Sequence, residues 1–242
     1  FDPERLDAAV ISHAHIDHAG YLPILVRRGF RGKVHCTSAT ADLLVTLLRD
    51  AAHLQEEDAR RANAHGYSRH HPALPLFTEA DAERVFPLLA PHGYGEPIAL
   101  RGGASLRFHR AGHILGSATV ELDLPWPEPV RLCFSGDLGR WNRPILRDPE
   151  PGGDADVLLI ESTYGDRLHK GDPDGQLEHI IAEAVHDHGI IVMPAFAIGR
   201  TQELLWRLAA LRRAGRIPSI PVFVDSPMAL DVTEIYSRHV EE

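Results

Sequence analysis

Within six residues the chain places His13, His15, Asp17 and His18. Imidazole and carboxylate are the ligand types that suit zinc and similar transition metals. Four such groups so closely spaced cannot all serve one ion. From a short loop they point in different directions, which is what two neighbouring ions require. The apolar run Ala8-Ala9-Val10-Ile11 just before them reads as a strand that would hold the first ligands on a rigid edge. After them, Ala19-Gly20 lets the backbone pass close to the site, since glycine has no side chain to crowd it. Residues 21–26 then read as the start of a helix with Pro23 in its first turn.

Three further positions carry candidate chemistry. His113 follows an alternating strand, 105–110, and lies between Gly112 and Gly116 in a chain that still needs a ligand. The run from Val130 ends at Asp137, with Gly136 allowing close backbone approach. Residues 156–160 contain an unbroken apolar stretch that predicts a fully buried strand, with Glu161 at its end. Around these, residues 33–37 predict a short strand, and Ser38 or Thr40 the cap of a helix over 41–48. The polar stretch 53–71 predicts a solvated helix and loop, or a cap over the site. Thr78 and Asp81 predict an N-capped helix start. Residues 118–122 predict a strand and 125–129 a turn.

Beyond Glu161 the pattern changes. Residues 167–175 predict a polar linker and 176–187 an amphipathic helix. Residues 189–196 predict a buried strand, 197–214 a helix, and 221–229 a further strand and turn. This β-α-β alternation reads as a small doubly wound unit.

The string His-x-His-x-Asp-His after a strand resembles the metal-binding motif of the metallo-β-lactamase superfamily. That resemblance implies a first metal held by His13, His15 and His113. It implies a second metal held in part by Asp17 and His18, with Asp137 bridging both. The strings Glu161-Ser162-Thr163-Tyr164-Gly165 and Gly199-Arg200-Thr201-Gln202-Glu203 resemble those of the β-CASP branch, which processes nucleic acid. The implied fold is α/β: an incomplete metallo-β-lactamase αββα sandwich over residues 1–166, then the start of an inserted doubly wound β-CASP domain over 167–242.

The implied function is a metal-dependent phosphodiester hydrolase, an endoribonuclease of RNA processing or decay. Two Zn2+ ions would activate a shared hydroxide for attack on phosphorus, with Asp17 orienting the water. Glu161 would position a histidine that protonates the leaving oxygen. Arg200, at a helix N-terminus, is the candidate phosphate contact, with pairing to Glu161 or Asp225 as the alternative. The chain begins just before the metal cluster and stops inside the inserted domain. It therefore reads as a fragment lacking the opening strands and the returning segment with that histidine. A DNA nuclease of the same branch, a small-ester or thioester metallo-hydrolase and an inactive binding homologue are the alternatives. The glutamate string speaks against the second and the full ligand set against the third.

Composition sets outer bounds. The 242 residues, 44% hydrophobic and 24% charged, suit one to two globular domains. The net charge of −9 argues against a protein coated in nucleic acid, but metal-site carboxylates count in that sum while their metals do not. Only Lys33 and Lys170 are lysine among 25 basic residues, a bias read as mainly genomic. Two cysteines are too few for a disulfide framework and point to a reducing, cytoplasmic setting. The expected partner is single-stranded RNA, with no membrane and with homodimerisation open.

Overall fold

The computed structural model describes residues 1–125, 127–167 and 171–242. A single 3-10 turn, Pro3–Arg5, leads into strand β1 (Ala8–Val10). Helices α1 (Ile16–Ala19) and α2 (Leu22–Arg27) follow, then β2 (Lys33–Thr37), α3 (Ser38–His65), α4 (Glu79–Glu83) and β3 (Leu89–His92). These three strands form a parallel sheet in the order β1-β2-β3, with Ala8 opposite Lys33 and Val34 opposite Leu89. Parallel neighbours need crossovers, and helices supply them. Leu22, Leu25 and Val26 of α2 and Leu43, Leu44, Leu47 and Leu48 of α3 close over Val34 and Cys36 in one apolar core. Each such side chain, fully buried, contributes roughly 1.5–3 kcal/mol.

The second sheet holds β4 (Ile98–Ala99), β5 (Ser105–Arg110), β6 (Ala118–Leu124), β7 (Val130–Phe134) and β8 (Val157–Leu159), in that order. It is antiparallel except where β7 meets β8. Alternation along β5 sends Leu106 and Phe108 inward against Ala118 and Val120, and Val10 of the first sheet packs on the same cluster. The opposite face is polar: buried Glu121 accepts from Arg107 at 2.7 Å and lies 3.3 Å from His109 Nε2. The two sheets thus meet face to face, and the Ala118 N–H donates to Ser12 O at 2.8 Å where the candidate loops gather.

Three helices complete the chain: α5 (Pro173–His186), α6 (Arg200–Arg213) and α7 (Pro227–Arg238). Ile181, Leu208, Leu211 and Ile217 join α5 to α6. Val232 and Ile235 of α7 belong instead to the core beneath α3.

Several expectations need correction. The helix placed at 41–48 runs unbroken to His65. Alanines 51, 52, 59 and 62 favour helix through the polar stretch, and Gly66, at φ +67°, is the residue that ends it. Its cap is neither Ser38 nor Thr40 but Thr37, the last residue of β2. Thr37 already has extended backbone, and its Oγ1 accepts from the Thr40 N–H. The expected fully buried strand at 156–160 is a short strand at the sheet edge, with Leu158 57% and Ile160 62% exposed. An unbroken apolar run cannot reveal whether both faces are covered. The strands expected at 189–196 and 221–229 join no ladder among the described residues. Ile190, Val192, Phe196 and Phe223 are exposed, and α7 begins at Pro227 inside the second of these ranges. The capping box at Thr78 and Asp81 is present as expected. Trp126 of the expected turn and residues 168–170 of the expected linker lie outside the described residues. Among the described residues no helix is long and apolar enough to cross a membrane.

Candidate metal centre

The end of β1 delivers the first candidate ligands. Backbone pairing continues past the strand through Ile11 N–H to His35 O, and Ser12 O is taken by Ala118, so His13 enters the gap between the sheets fully buried. His15 then serves as N-cap residue of α1, which carries Asp17 and His18 in its single turn. From the second sheet, the turn after β5 brings His113 and the end of β7 brings Asp137. Gly136 makes the latter approach feasible: at φ +56° a Cβ there would lie 2.8 Å from Ser12 Cβ.

His13, His15, His113 and Asp137 each offer a ligand atom within 4.8 Å of the others. His15 Nδ1 lies 3.1 Å from His13 Nε2 and 3.2 Å from His113 Nε2. Tetrahedral zinc, with Zn–N of about 2.0–2.1 Å, sets its ligand nitrogens roughly 3.3–3.4 Å apart. A neutral ring nitrogen is either donor or acceptor, so one lying between two others cannot serve three imidazoles by protons alone. A cation at their centre satisfies all three, and the residues present therefore fit a divalent metal. Ser12 Oγ sits 3.1 Å from His13 Nδ1, the outer contact that fixes which nitrogen faces inward.

Asp137 presents its two oxygens to different partners. Oδ2 lies 3.5 Å from His113 Nε2 and 3.7 Å from His13 Nε2, while Oδ1 lies 3.2 Å from His18 Nε2. His18 thus faces the other oxygen of the carboxylate, while its ring packs against that of His13 with centroids 4.1 Å apart. Asp17 lies further out, its side chain 77% exposed and its Oδ2 3.8 Å from His18 Nε2.

Electrostatics favour ligand-competent imidazoles. Burial, with the neighbouring rings of His18, His15 and His113, pushes His13 down to about 2. Burial and His15 push His113 down to about 4, and burial lowers His15 as well. All three are neutral at pH 7, the form that binds metal.

Glu161 accepts from the Leu138 N–H at 3.0 Å and the Thr163 N–H at 2.9 Å. These two bonds hold its carboxyl below the usual carboxylate range. It therefore braces the residue that follows Asp137. Arg200 is 55% exposed and its nearest acid is Glu203, at 3.8 Å, so the alternative of pairing with Glu161 or Asp225 is not what the structure has. The buried polar members of that string are its last two. Gln202 accepts from the Gly199 N–H at 2.7 Å and donates to Ala197 O and Thr233 Oγ1, and Glu203 is 3% exposed between two arginines. One of those, Arg143, also donates to the His113 carbonyl at 2.7 Å. Sequence reasoning missed Arg143, because a single arginine in an irregular loop carries no pattern.

A family model described as the Beta-lactamase superfamily domain matches residues 2–189, and one described as the Beta-Casp domain matches residues 201–242. Ribonuclease TTHA0252 of Thermus thermophilus is 38% identical over 242 residues, spanning 99% of this chain and 51% of the relative. Transcription termination factor FttA of Methanosarcina mazei is 30% identical over 247 residues, spanning the whole chain and 36% of the relative. An RNase J-like protein of Methanocaldococcus jannaschii is 28% identical, spanning 99% and 52%. The chain thus spans about half the length, or less, of these curated relatives. A solved structure of a protein of unknown function from Enterococcus faecalis V583 shares the fold, with a TM-score of 0.52 at 16% identity over 95% of this chain and 49% of that one. The sandwich of sheets, the histidine cluster between them and the two family matches agree: this chain belongs to the metallo-β-lactamase superfamily, in its β-CASP branch.

Proposed function

We propose that this chain is the metal-bearing part of an endoribonuclease that hydrolyses phosphodiesters in single-stranded RNA with two zinc ions. The observation that carries the reading is the convergence of His13, His15 and His113 on one point beside a two-sided Asp137, in a chain whose relative is named a ribonuclease. His13, His15, His113 and one oxygen of Asp137 would hold the first ion. His18, Asp17 and the other oxygen would contribute to the second. Bound zinc supplies Lewis acidity, which makes water a nucleophile at neutral pH and offsets charge on phosphate oxygens.

The chain's own residues supply the rest. Asp17, exposed beside His18, accepts a hydrogen bond from the attacking water and so aims it. Glu161 is ionised and committed to two backbone N–H groups, so it acts as a brace and acceptor and does not deliver the proton. Arg200, exposed at the first turn of α6, is the phosphate contact. We place the division between the catalytic sandwich and the inserted unit at residues 166 and 167. Two unpaired, buried cysteines, Cys36 and Cys133, support a reducing, cytoplasmic setting.

The test is expression of the full-length gene product, metal analysis, and hydrolysis assays on single-stranded RNA, single-stranded DNA, a β-lactam and a thioester. The reading expects close to two metal equivalents, as a two-metal site requires, and RNA as the best substrate. Faster turnover of the β-lactam or thioester would refute the substrate, and metal content near zero after reconstitution would refute the site.

A further inference from the structure

The turn that carries His113 is held from outside its own sheet. Arg143 donates through Nη1 to the His113 carbonyl at 2.7 Å and through Nη2 to Glu203 Oε2 at 2.9 Å. Glu203 is buried on α6, and its second oxygen accepts from Arg207 Nη2 at 3.0 Å and Nε at 3.1 Å. Two residues beyond His113, the Leu115 N–H donates to the Tyr236 hydroxyl of α7 at 3.3 Å. Between these contacts, Ile114 and Leu115 pack with Ile198, Val232 and Ile235 in one core cluster. The backbone of Gly199, just before α6, lies so close that a Cβ there would sit 3.2 Å from Ile114 Cγ2.

An ion pair serving only to tie α6 to the sandwich has no reason to end on a particular carbonyl. This one ends on the residue whose ring lies 3.2 Å from His15 Nδ1. The planar guanidinium suits the task, because its fixed fork of donors reaches a carbonyl and a carboxylate at once; a lysine ammonium is a single point charge. Charge-assisted bonds of this kind are short and directional.

We propose that Arg143, anchored by Glu203, is a positioning residue for the metal centre. It sets the backbone of His113, so the grip on metal depends on how α6 and α7 seat against the His113 turn. The proposal rests on the metal reading given above. In it, the Glu203 of the β-CASP-like string acts through Arg143 and His113, and not on the substrate.

The experiment uses the full-length gene product and its Arg143→Lys, Glu203→Gln and Leu208→Ala variants. Each is stripped of metal and titrated with Co2+ against a competing chelator, with the cobalt absorption spectrum recorded and thermal unfolding followed in parallel. Arg143→Lys keeps a positive charge beside Glu203 but loses the planar fork whose two Nη groups each reach one partner. It should weaken Co2+ binding by about 10–100-fold, the usual cost of losing an outer contact to a ligand, and alter the spectrum. Glu203→Gln still offers Arg143 an acceptor and should show a smaller loss in the same direction. Leu208→Ala loosens the buried α5–α6 contact without touching the His113 turn and should bind Co2+ as the unaltered protein does. Unaltered affinity and spectrum in both Arg143→Lys and Glu203→Gln would overturn the proposal. So would an equal loss in Leu208→Ala, which would make the effect one of general loosening. If the unaltered protein itself binds no Co2+, the metal reading fails and this proposal with it; normal binding there with unaffected variants refutes the positioning role alone.

Discussion

Replacing Gly136 by alanine attacks the metal centre through its backbone. Gly136 has φ +56°, and an added Cβ would meet Ser12 Cβ at 2.8 Å, Ser12 Oγ at 3.0 Å and Ala118 O at 3.1 Å. The left-handed conformation costs an L-residue about 1–2 kcal/mol. Overpacking against an atom that cannot move away adds about 1–3 kcal/mol. Lower entropy of the unfolded chain returns about 0.4–1 kcal/mol. The net loss is therefore about 1–4.6 kcal/mol. Gly66 is the natural control, with φ +67° and nothing within 4 Å of the added carbon. Gly66→Ala should show the conformational part alone, about 0–1.5 kcal/mol. Urea unfolding of the metal-free full-length gene product measures both losses, and metal analysis after reconstitution reads the site. Only Gly136→Ala should also lower metal content, because relief of the clash moves Asp137, the next residue, away from Ser12 and His13. Equal losses in the two variants, or a Gly136→Ala protein with full stability and metal content, would refute the close-approach argument.

Other outcomes follow from the same geometry. Asp137→Ala removes the oxygens facing both histidine groups, and metal content should fall from about two equivalents to below one; a value that stays near two would show that the carboxylate bridges nothing. Thr37→Ala loses both the cap of α3 and the bond from Oγ1 to Gly116 O at 2.7 Å, and should cost about 1–2 kcal/mol by denaturant unfolding, the range for such caps. Burial pushes the Cys36 thiol up to about 12, so at pH 8 roughly one molecule in ten thousand carries the thiolate, and iodoacetamide should label it only after unfolding. The sign of its linkage follows: the unfolded thiol releases its proton above about 9 while the folded one keeps it, so stability from this group falls as pH rises from 9 towards 12. Arg200→Ala should weaken RNA binding by a similar factor for all sequences and flatten its salt dependence; unchanged affinity at physiological salt would remove Arg200 from the interface.

What could be read in advance depended on how local the signal was. The histidine cluster is contiguous, and ligand chemistry alone marks it. His113 is a lone histidine, and only the family likeness connected it to residues the fold brings within 3.2 Å. The strands that alternate, such as 105–110, declared their inward faces through Leu106 and Phe108. The run at 157–160 did not, because its exposure depends on what lies against an edge strand, which no local pattern encodes. The solvated helix expected within 53–71 is there, but that it continues the helix at 41–48 without a break, through Ala51 and Ala52, was not legible. At 199–203 the conspicuous cation drew attention, yet it is Gln202 and Glu203 that are buried. Polar residues reveal themselves as structural only through partners distant in sequence, here Thr233 and Arg143.

The candidate ligands come from both sheets, with His15 and His113 separated by 98 positions along the chain. Neither sheet owns the site, so no early, locally formed intermediate can present it. Closing so large a loop carries an entropic cost that contacts repay only after the sheets dock. A metal held there would act as a latch on the finished molecule, slowing escape from the native state far more than it hastens arrival there. On the two-metal reading, metal supply would then set the lifetime of the native state rather than the speed of folding.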